Sequence, residues 1–484
     1  MKTANNLLAM LLISLALVTV TGCGRATEFD EAEYTNKIDT PVEQCDRYDD
    51  TTSNTIESVS TQLTYLHFIE DIDYLLDTME NNFSAFSVAY WAHGVDITSI
   101  FHDLRSLILS NPEICLDGFA VNLIEALVPL RATGISHFTL FSPRTHEIMY
   151  NNPMDSIRQA FSINARNRLF SHHAMSFYEP RYNPTHIFNC DDAMDALLLS
   201  PPHELPERSY VNTRTEGQEN VITEIIQDNY IAYLSIHSFW GYFTTEREQI
   251  LNFYETIYDF DHLIIDLRGN IGGMAPNFSR YVMGPIIADC FIIDGFVFVK
   301  DGIYAEEYIR RVGRDGRVCL LGNLALERGL RRDMSSPFGT VDEILSIYDL
   351  PNINMDDMSR MDYGFRVYTT VDHRPQRQLD SQPFNGEIWL LTDSPMGSAA
   401  QLAAWIAKDT GFATLVGDIT GGMFGGPRTV VVLPNTGIAF QMDLFYVTDR
   451  YGRPLDAGTI PHYFNLEGLD AMETVLQMIE EGLY

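Results

Sequence analysis

At 484 residues, with 45% hydrophobic and 12% aromatic side chains, the chain can bury a sizeable core and form two or three domains. Its 66 acidic residues against 32 basic ones give a net charge of −34. That balance excludes nucleic acid as a partner and excludes an electrostatic hold on anionic lipid, and it fits a soluble, secreted or surface protein.

The N-terminus reads as a targeting segment. Lys2 is followed by the apolar run "LLAMLLISLALVTV" and then "TGC", the pattern of a secretory signal with a short hydrophobic region. Val20-Thr21-Gly22-Cys23 resembles a bacterial lipobox, which implies residues 1–22 as a lipoprotein signal peptide and Cys23 as the lipidated first residue. The other reading is an ordinary signal peptide with a cysteine at its cleavage site. Residues 23–60, polar and acidic ("DDTTSNTIESVS"), read as a flexible tether. The remaining cysteines, Cys45, Cys115, Cys190, Cys290 and Cys319, are odd in number and far apart, without Cys/His metal spacing, and read mostly as buried free thiols. No later stretch is apolar and long enough to be a membrane-spanning helix.

Helical periodicity begins near residue 62. "LTYLHFIEDIDYLLDTMENNF" puts Leu63, Leu66, Ile69, Ile72, Leu75 and Leu76 on one face, and "ITSIFHDLRSLILS" and "FAVNLIEALVPL" continue the pattern. Residues 61–140 therefore form an expected helical domain, closing on the glycine turn and short extended run of "RATGISHFTLFSP". Residues 141–225 are an intermediate region with little periodicity and the proline-bearing loop "SPPHELPER".

From residue 226 onward strands alternate with helices. "NYIAYLSI", "HLIIDL", "EIWLLTD", "FATLVG", "TVVVLP" and "GIAFQMDLFYV" read as strands, and "TEREQILNFYETIYDF" and "AAQLAAWIAKD" as helices. That order predicts an α/β core over 226–484. In such sheets ligands gather beyond the carboxyl ends of strands, where "RGNIGG" and "SPMGSAAQ" stand.

Ser398 can be read in two ways. In S-A-A-Q it has the spacing of a helix capping box with Gln401, and at a strand–turn–helix junction it also stands where hydrolases put a nucleophile. Ser394, beside proline in a turn, is the weaker nucleophile candidate. His137 is one of 13 histidines, including the pair His172-His173, and an isolated histidine is more often a satisfied core or surface residue. Gly272 and Gly273 can be turn glycines, and Asp456 in "PLDAG" can be a local turn residue. Asp266, Arg268 and Asn270 read as residues that shape the loop.

Several pieces together resemble the C-terminal processing peptidases and the tricorn core protease, the tail-specific serine peptidases. They are "HLIIDLRGNIGG", "LLTDSPMGSAAQLAAWIAKDTGFATLVGDITGG", "GISHFTL" and "PLDAGTIPHY", in the family's chain order over roughly residues 62–484. The resemblance implies an N-terminal helical domain followed by a crotonase-like, ββα-repeat α/β core. Many relatives carry a PDZ domain where residues 141–225 lie, and no PDZ carboxylate-binding loop is visible there. In the processing-peptidase branch a lysine serves as base, but its matching position is Met423, and neither Lys300 nor Lys408 fits. The tricorn-like branch uses a histidine preceded by serine, here Ser136 and His137.

That branch implies Ser398 as nucleophile and His137 as base, with Ser136 and Asp456 orienting the imidazole. Asp456 stands where the family has glutamate, one methylene longer. Gly272 or Gly273, with the Ala399 N–H, would supply the oxyanion donors. No metal and no organic cofactor is implied. The partners expected are a peptide or protein substrate and a membrane reached through the N-terminal lipid alone, at the bacterial cell membrane or outer surface, with homo-oligomerisation left open. The competing expectation is a catalytically silent peptide- or ligand-binding protein on the same scaffold. The base assignment requires His137 and Ser398 to come within about 2.6–3.2 Å of each other.

Overall fold

The computed structural model describes residues 63–152, 161–182, 219–240, 243–315, 331–371 and 383–484. The signal segment, Cys23, the tether, Cys45, Cys190 and Cys319 lie outside the described residues. Residues 63–484 form one compact unit.

The chain opens with helices α1 (Tyr65–Asn82), α2 (Phe86–His93), α3 (Ile97–Leu109) and α4 (Leu116–Ala132). Asp96 caps α3 by accepting the Ser99 N–H, and the Cys115 thiol sulfur accepts the Gly118 N–H at the start of α4. Cys115 is exposed rather than buried. The buried stripe of α1 runs through Phe68, Ile72, Leu75 and Met79. Leu66, expected on the buried face, is 54% exposed. It lies about 200° around the helix from Phe68, since each residue turns about 100°.

Strand β1 (Thr139–Leu140) follows the helices, and α5 (Pro143–Asn151), α6 (Ile163–Leu169) and α7 (His172–Tyr178) occupy the described part of the less legible region. Strands β2 (Val221–Gln227) and β3 (Ile231–Ile236), helix α8 (Thr244–Ile257) and strand β4 (His262–Asp266) open the α/β core. Strands β5 (Phe291–Val299), β6 (Arg331–Arg332), β7 (Phe338–Thr340) and β8 (Tyr363–Val371) come next. Then come β9 (Glu387–Thr392), α9 (Ala399–Thr410), β10 (Thr414–Gly417), β11 (Arg428–Val432), β12 (Ala439–Asp443), β13 (Phe445–Asp449) and α10 (Ala471–Glu481).

The central sheet has the order β10-β9-β4-β3-β2, parallel except for β2. Strands β3, β4 and β9 are largely apolar on both faces because both faces are covered there, whereas the edge strand β2 is partly exposed. Ile264, Trp389 and Val416 pack with Ala471, Val475 and Met478 of α10, while Leu263, Ile265, Leu390 and Leu415 point into the main core. A second sheet, β13-β5-β8-β6 with β7 on β8, is antiparallel.

The third sheet, β1-β12-β11, places the active-site candidates. Thr139 pairs with Gln441 and Leu140 with Phe440, antiparallel. Continuing that register by two residues sets His137 across from Asp443. A segment next to the N-terminal helices is thereby stitched to a strand some 300 residues later.

Candidate active site

β4 and β9 are parallel neighbours, with Asp266 opposite Leu391, so the loops after them leave the same end of the sheet together. Arg268 is held by Asp266 and Asp470, and buried Asn270 donates to the Ile236 carbonyl while accepting the Gly272 N–H at 2.8 Å. These side chains shape the loop. Asp393 ties the two loops to each other: its carboxylate accepts the Gly269 N–H at 2.8 Å and the Met396 N–H at 3.2 Å. Burial pushes the Asp393 carboxyl up to about 6.

Ser398 stands at the N-cap position of α9, but its side chain makes no capping hydrogen bond. Gln401 does not complete a capping box either. Its amide donates to Thr459 at 3.0 Å and its carbonyl accepts from Thr420. The Ser398 hydroxyl is instead 3.1 Å from Nε2 of His137, 261 residues away in sequence. Nδ1 of the same ring lies 2.6 Å from Oδ2 of Asp443. A carboxylate only accepts, so the proton of this bond sits on Nδ1, and the Nε2 lone pair faces the serine.

Asp443 is the residue that sequence reasoning missed. Its side chain is 1% exposed, and its signal was a lone acid inside the apolar run "AFQMDLF". Ser136 and Asp456, expected together to hold the imidazole with the acid supporting the serine, are hydrogen-bonded to each other. Asp456 accepts the Ser136 N–H at 2.9 Å, the Ser136 hydroxyl at 2.5 Å and the Phe424 N–H at 2.9 Å. Nδ1 is already occupied by Asp443, so this pair acts on the ring only through the backbone of the 135–137 turn. Burial raises the Asp456 carboxyl above its ordinary value, opposed by the hydrogen bonds from Ser136. His93 of α2 closes the far side with a 2.9 Å bond to the Asp456 carbonyl.

The backbone is unusual around these residues. Ser136, His137, Ser398 and Met423 all have positive φ, between 47° and 57°, without being glycine. Such conformations persist only where surrounding contacts enforce them, and they gather at functional sites. Gly272 and Gly273, at φ 103° and 135°, bring their loop against the serine. The Gly272 N–H is already given to Asn270, whereas neither the Gly273 N–H nor the Ala399 N–H donates to a group among the described residues.

Residues 230–463 match the model of Peptidase family S41. That segment of the chain is of peptidase family S41. With the family comes the reaction class, a serine-type peptidase acting on peptide or protein substrates. Among solved structures, the chain is similar to one described as a peptidase from Parabacteroides merdae ATCC 43184, at 14% identity over 86% of this chain and 97% of that one, with a TM-score of 0.46. It is similar to mature CPAF complexed with lactacystin, at 12% identity over 87% and 97%, with a TM-score of 0.46. It is also similar to the tricorn protease, at 15% identity over 52% of this chain and 18% of that one, with a TM-score of 0.27.

The two lysines among the described residues are engaged away from the serine. Lys408 donates to the Ile460 carbonyl and Lys300 to the Glu80 carbonyl. Met423 lies beside the serine loop, where a Cβ added to Gly397 would meet its own Cβ at 3.2 Å.

The Gly272 loop gives a first testable outcome. A Cβ on Gly272 would stand 2.7 Å from both the Ala399 nitrogen and the Ser398 Cβ. Gly272→Ala must therefore push the two loops apart, and displacements of about 1 Å in an active site cost on the order of 100-fold in rate. A fall of that size in kcat/KM, with a cooperative melt retained, is the expected result. Unchanged kcat/KM would show that the two loops need not touch.

Proposed function

We propose that the protein is an extracytoplasmic, lipid-anchored serine peptidase in which Ser398 is the nucleophile and His137 the base. The observation that supports this reading is the hydrogen-bonded chain Ser398–His137–Asp443, assembled from segments remote in sequence. The Ser398 oxygen attacks the scissile carbonyl carbon as its proton passes to Nε2 of His137. Asp443 accepts the Nδ1–H throughout and stabilises the imidazolium that forms. The tetrahedral oxyanion is received by the Ala399 and Gly273 N–H groups, at the positive end of the α9 dipole. The imidazolium returns its proton to the departing amine, and water then hydrolyses the acyl-serine by the same route. Ser136 and Asp456 hold the turn that carries the histidine. With histidine rather than lysine as base, the chemistry is that of the tricorn-like branch.

A fluorophosphonate probe tests this directly. The purified protein should become labelled, with the adduct on Ser398 by peptide mass spectrometry. Absence of labelling alongside absence of peptide hydrolysis would favour a silent binding protein on the same scaffold.

Anchoring rests on the sequence "VTGC". The mature protein is expected to begin at an acylated Cys23, and Cys23→Ser is expected to release it from membranes or leave it unprocessed. Mass spectrometry of the membrane-extracted protein decides this. An unmodified N-terminus elsewhere in residues 20–30 would overturn the lipoprotein reading.

A further inference from the structure

Asp443 has a neighbour on its other side. In the three-stranded sheet it pairs with Arg428 of β11, and His137, in the turn that leads into β1, meets it from the other side, so Asp443 stands between the two. Their side chains are 10%, 1% and 13% exposed. Nε of Arg428 is 3.9 Å from Oδ1 of Asp443, too far for a hydrogen bond but close for two charges shielded from water. Both atoms are buried, and neither has a hydrogen-bond partner among the described residues. The Asp443 carboxylate thus has one oxygen on the histidine and the other facing a guanidinium.

We infer that Arg428 is a positioning residue for the proposed peptidase chemistry, keeping Asp443 ionised and His137 in the tautomer that can accept the serine proton. The inference rests on the reading of Ser398 and His137 as nucleophile and base. The groups around Asp443 make the need specific. His137 faces it from the 135–137 turn and Arg428 from β11, while the Asp456 carboxyl, bonded to Ser136 and raised above its ordinary value by burial first and by Asp443 as well, belongs to the 455–457 turn. Two neighbouring buried carboxylates oppose each other's ionisation, and Arg428 is the cation set against Asp443. A protonated Asp443 would donate to Nδ1. That would put the ring proton on Nε2, facing Ser398, and leave no lone pair to take the hydroxyl proton.

The sign of the effect follows. Removing the guanidinium charge raises the proton affinity of both Asp443 and His137, so a higher pH is needed before the base is free. A full charge at this range shifts such groups by about one to two pH units. Arg428→Met and Arg428→Gln should move the acid limb of kcat/KM, and of fluorophosphonate labelling, upward by that amount. The loss should be about tenfold or more near the wild-type midpoint, should fall on kcat rather than KM, and should be regained at high pH. Arg428→Lys retains the charge and should keep its acid limb near that of wild type. Thermal melting reports which variants fold.

A neutral variant that folds, labels and superposes on the wild-type pH profile overturns the inference while leaving the peptidase reading intact. If the neutral variants do not fold, Arg428→Lys decides: a folded lysine protein with its limb displaced upward as far as one to two units overturns it, and an unmoved limb supports it. Wild-type protein that takes no fluorophosphonate at any pH overturns the parent reading and this inference with it.

Discussion

Ser398→Ala should abolish peptidase activity and fluorophosphonate labelling while leaving the melting temperature almost where it was. The two halves of that result come from one observation. Ser398 occupies the N-cap position of α9 yet its side chain accepts no N–H of the helix, because its backbone lies at φ 56°, ψ −118° and its hydroxyl turns to His137. A capping serine replaced by alanine costs about 0.5–2 kcal/mol. Here no cap is lost, and the variant gives up one hydrogen bond worth about 1 kcal/mol. Loss of a nucleophile, by contrast, costs on the order of three to six powers of ten in kcat. The measurement pairs calorimetric melting with hydrolysis of a peptide library. Lys408→Ala serves as the control and should remain active, since that lysine is bound to the Ile460 carbonyl. A Ser398→Ala protein that melts markedly lower and still hydrolyses peptide would make the serine a structural residue after all.

Much of this site could be read before folding, for identifiable reasons. The strands at β4 and β9 are short apolar runs because a parallel sheet covered on both faces admits little else, and Gly272, Gly273 and Ser398 follow them directly. The antiparallel sheet between residues 291 and 371 was not legible. In β5, Asp294 and Gly295 interrupt the apolar run, and Asp294 is there to meet Arg366 across the strand pair. "GIAFQMDLFYV" read as one strand, whereas the chain breaks at Leu444 and sends β12 and β13 to different sheets. The role open to Asp443 depends on that break and on register. It becomes a neighbour of His137 only when β1 pairs with β12, a long-range event that no local pattern encodes. Ser136, His137 and Asp456 were visible in the sequence, yet nothing there told that Asp443 would meet the imidazole.

Asp443→Asn should be the most damaging change outside the serine and histidine themselves, and more damaging than Asp456→Asn. Asp443 bonds directly to Nδ1 at 2.6 Å, and its side chain is almost wholly shielded from water. An asparagine there can still fill the space, but it can present an amide N–H to Nδ1. That bond would stabilise the tautomer protonated at Nε2, which faces Ser398 and cannot accept its proton. An interchange of this kind in a catalytic triad costs about 10⁴ in kcat with the geometry otherwise intact. Asp456 makes no hydrogen bond to the ring among the described residues. Its three hydrogen bonds fix the Ser136 backbone and hydroxyl and the Phe424 N–H. An Asp456→Asn side chain can keep its oxygen on part of that set, so its cost should appear as a lower melting temperature and a rate loss of about 10–100-fold from a less firmly placed histidine. Steady-state kinetics on the two variants, with substrate saturation checked so that kcat and KM separate, gives the ranking. Asp443→Asn falling as low as His137→Ala, with KM little changed, is the expected outcome. A variant of Asp443 as active as wild type, beside an inactive Asp456→Asn, would mean that the histidine is oriented through Ser136 and Asp456 and that the 2.6 Å contact is incidental to catalysis.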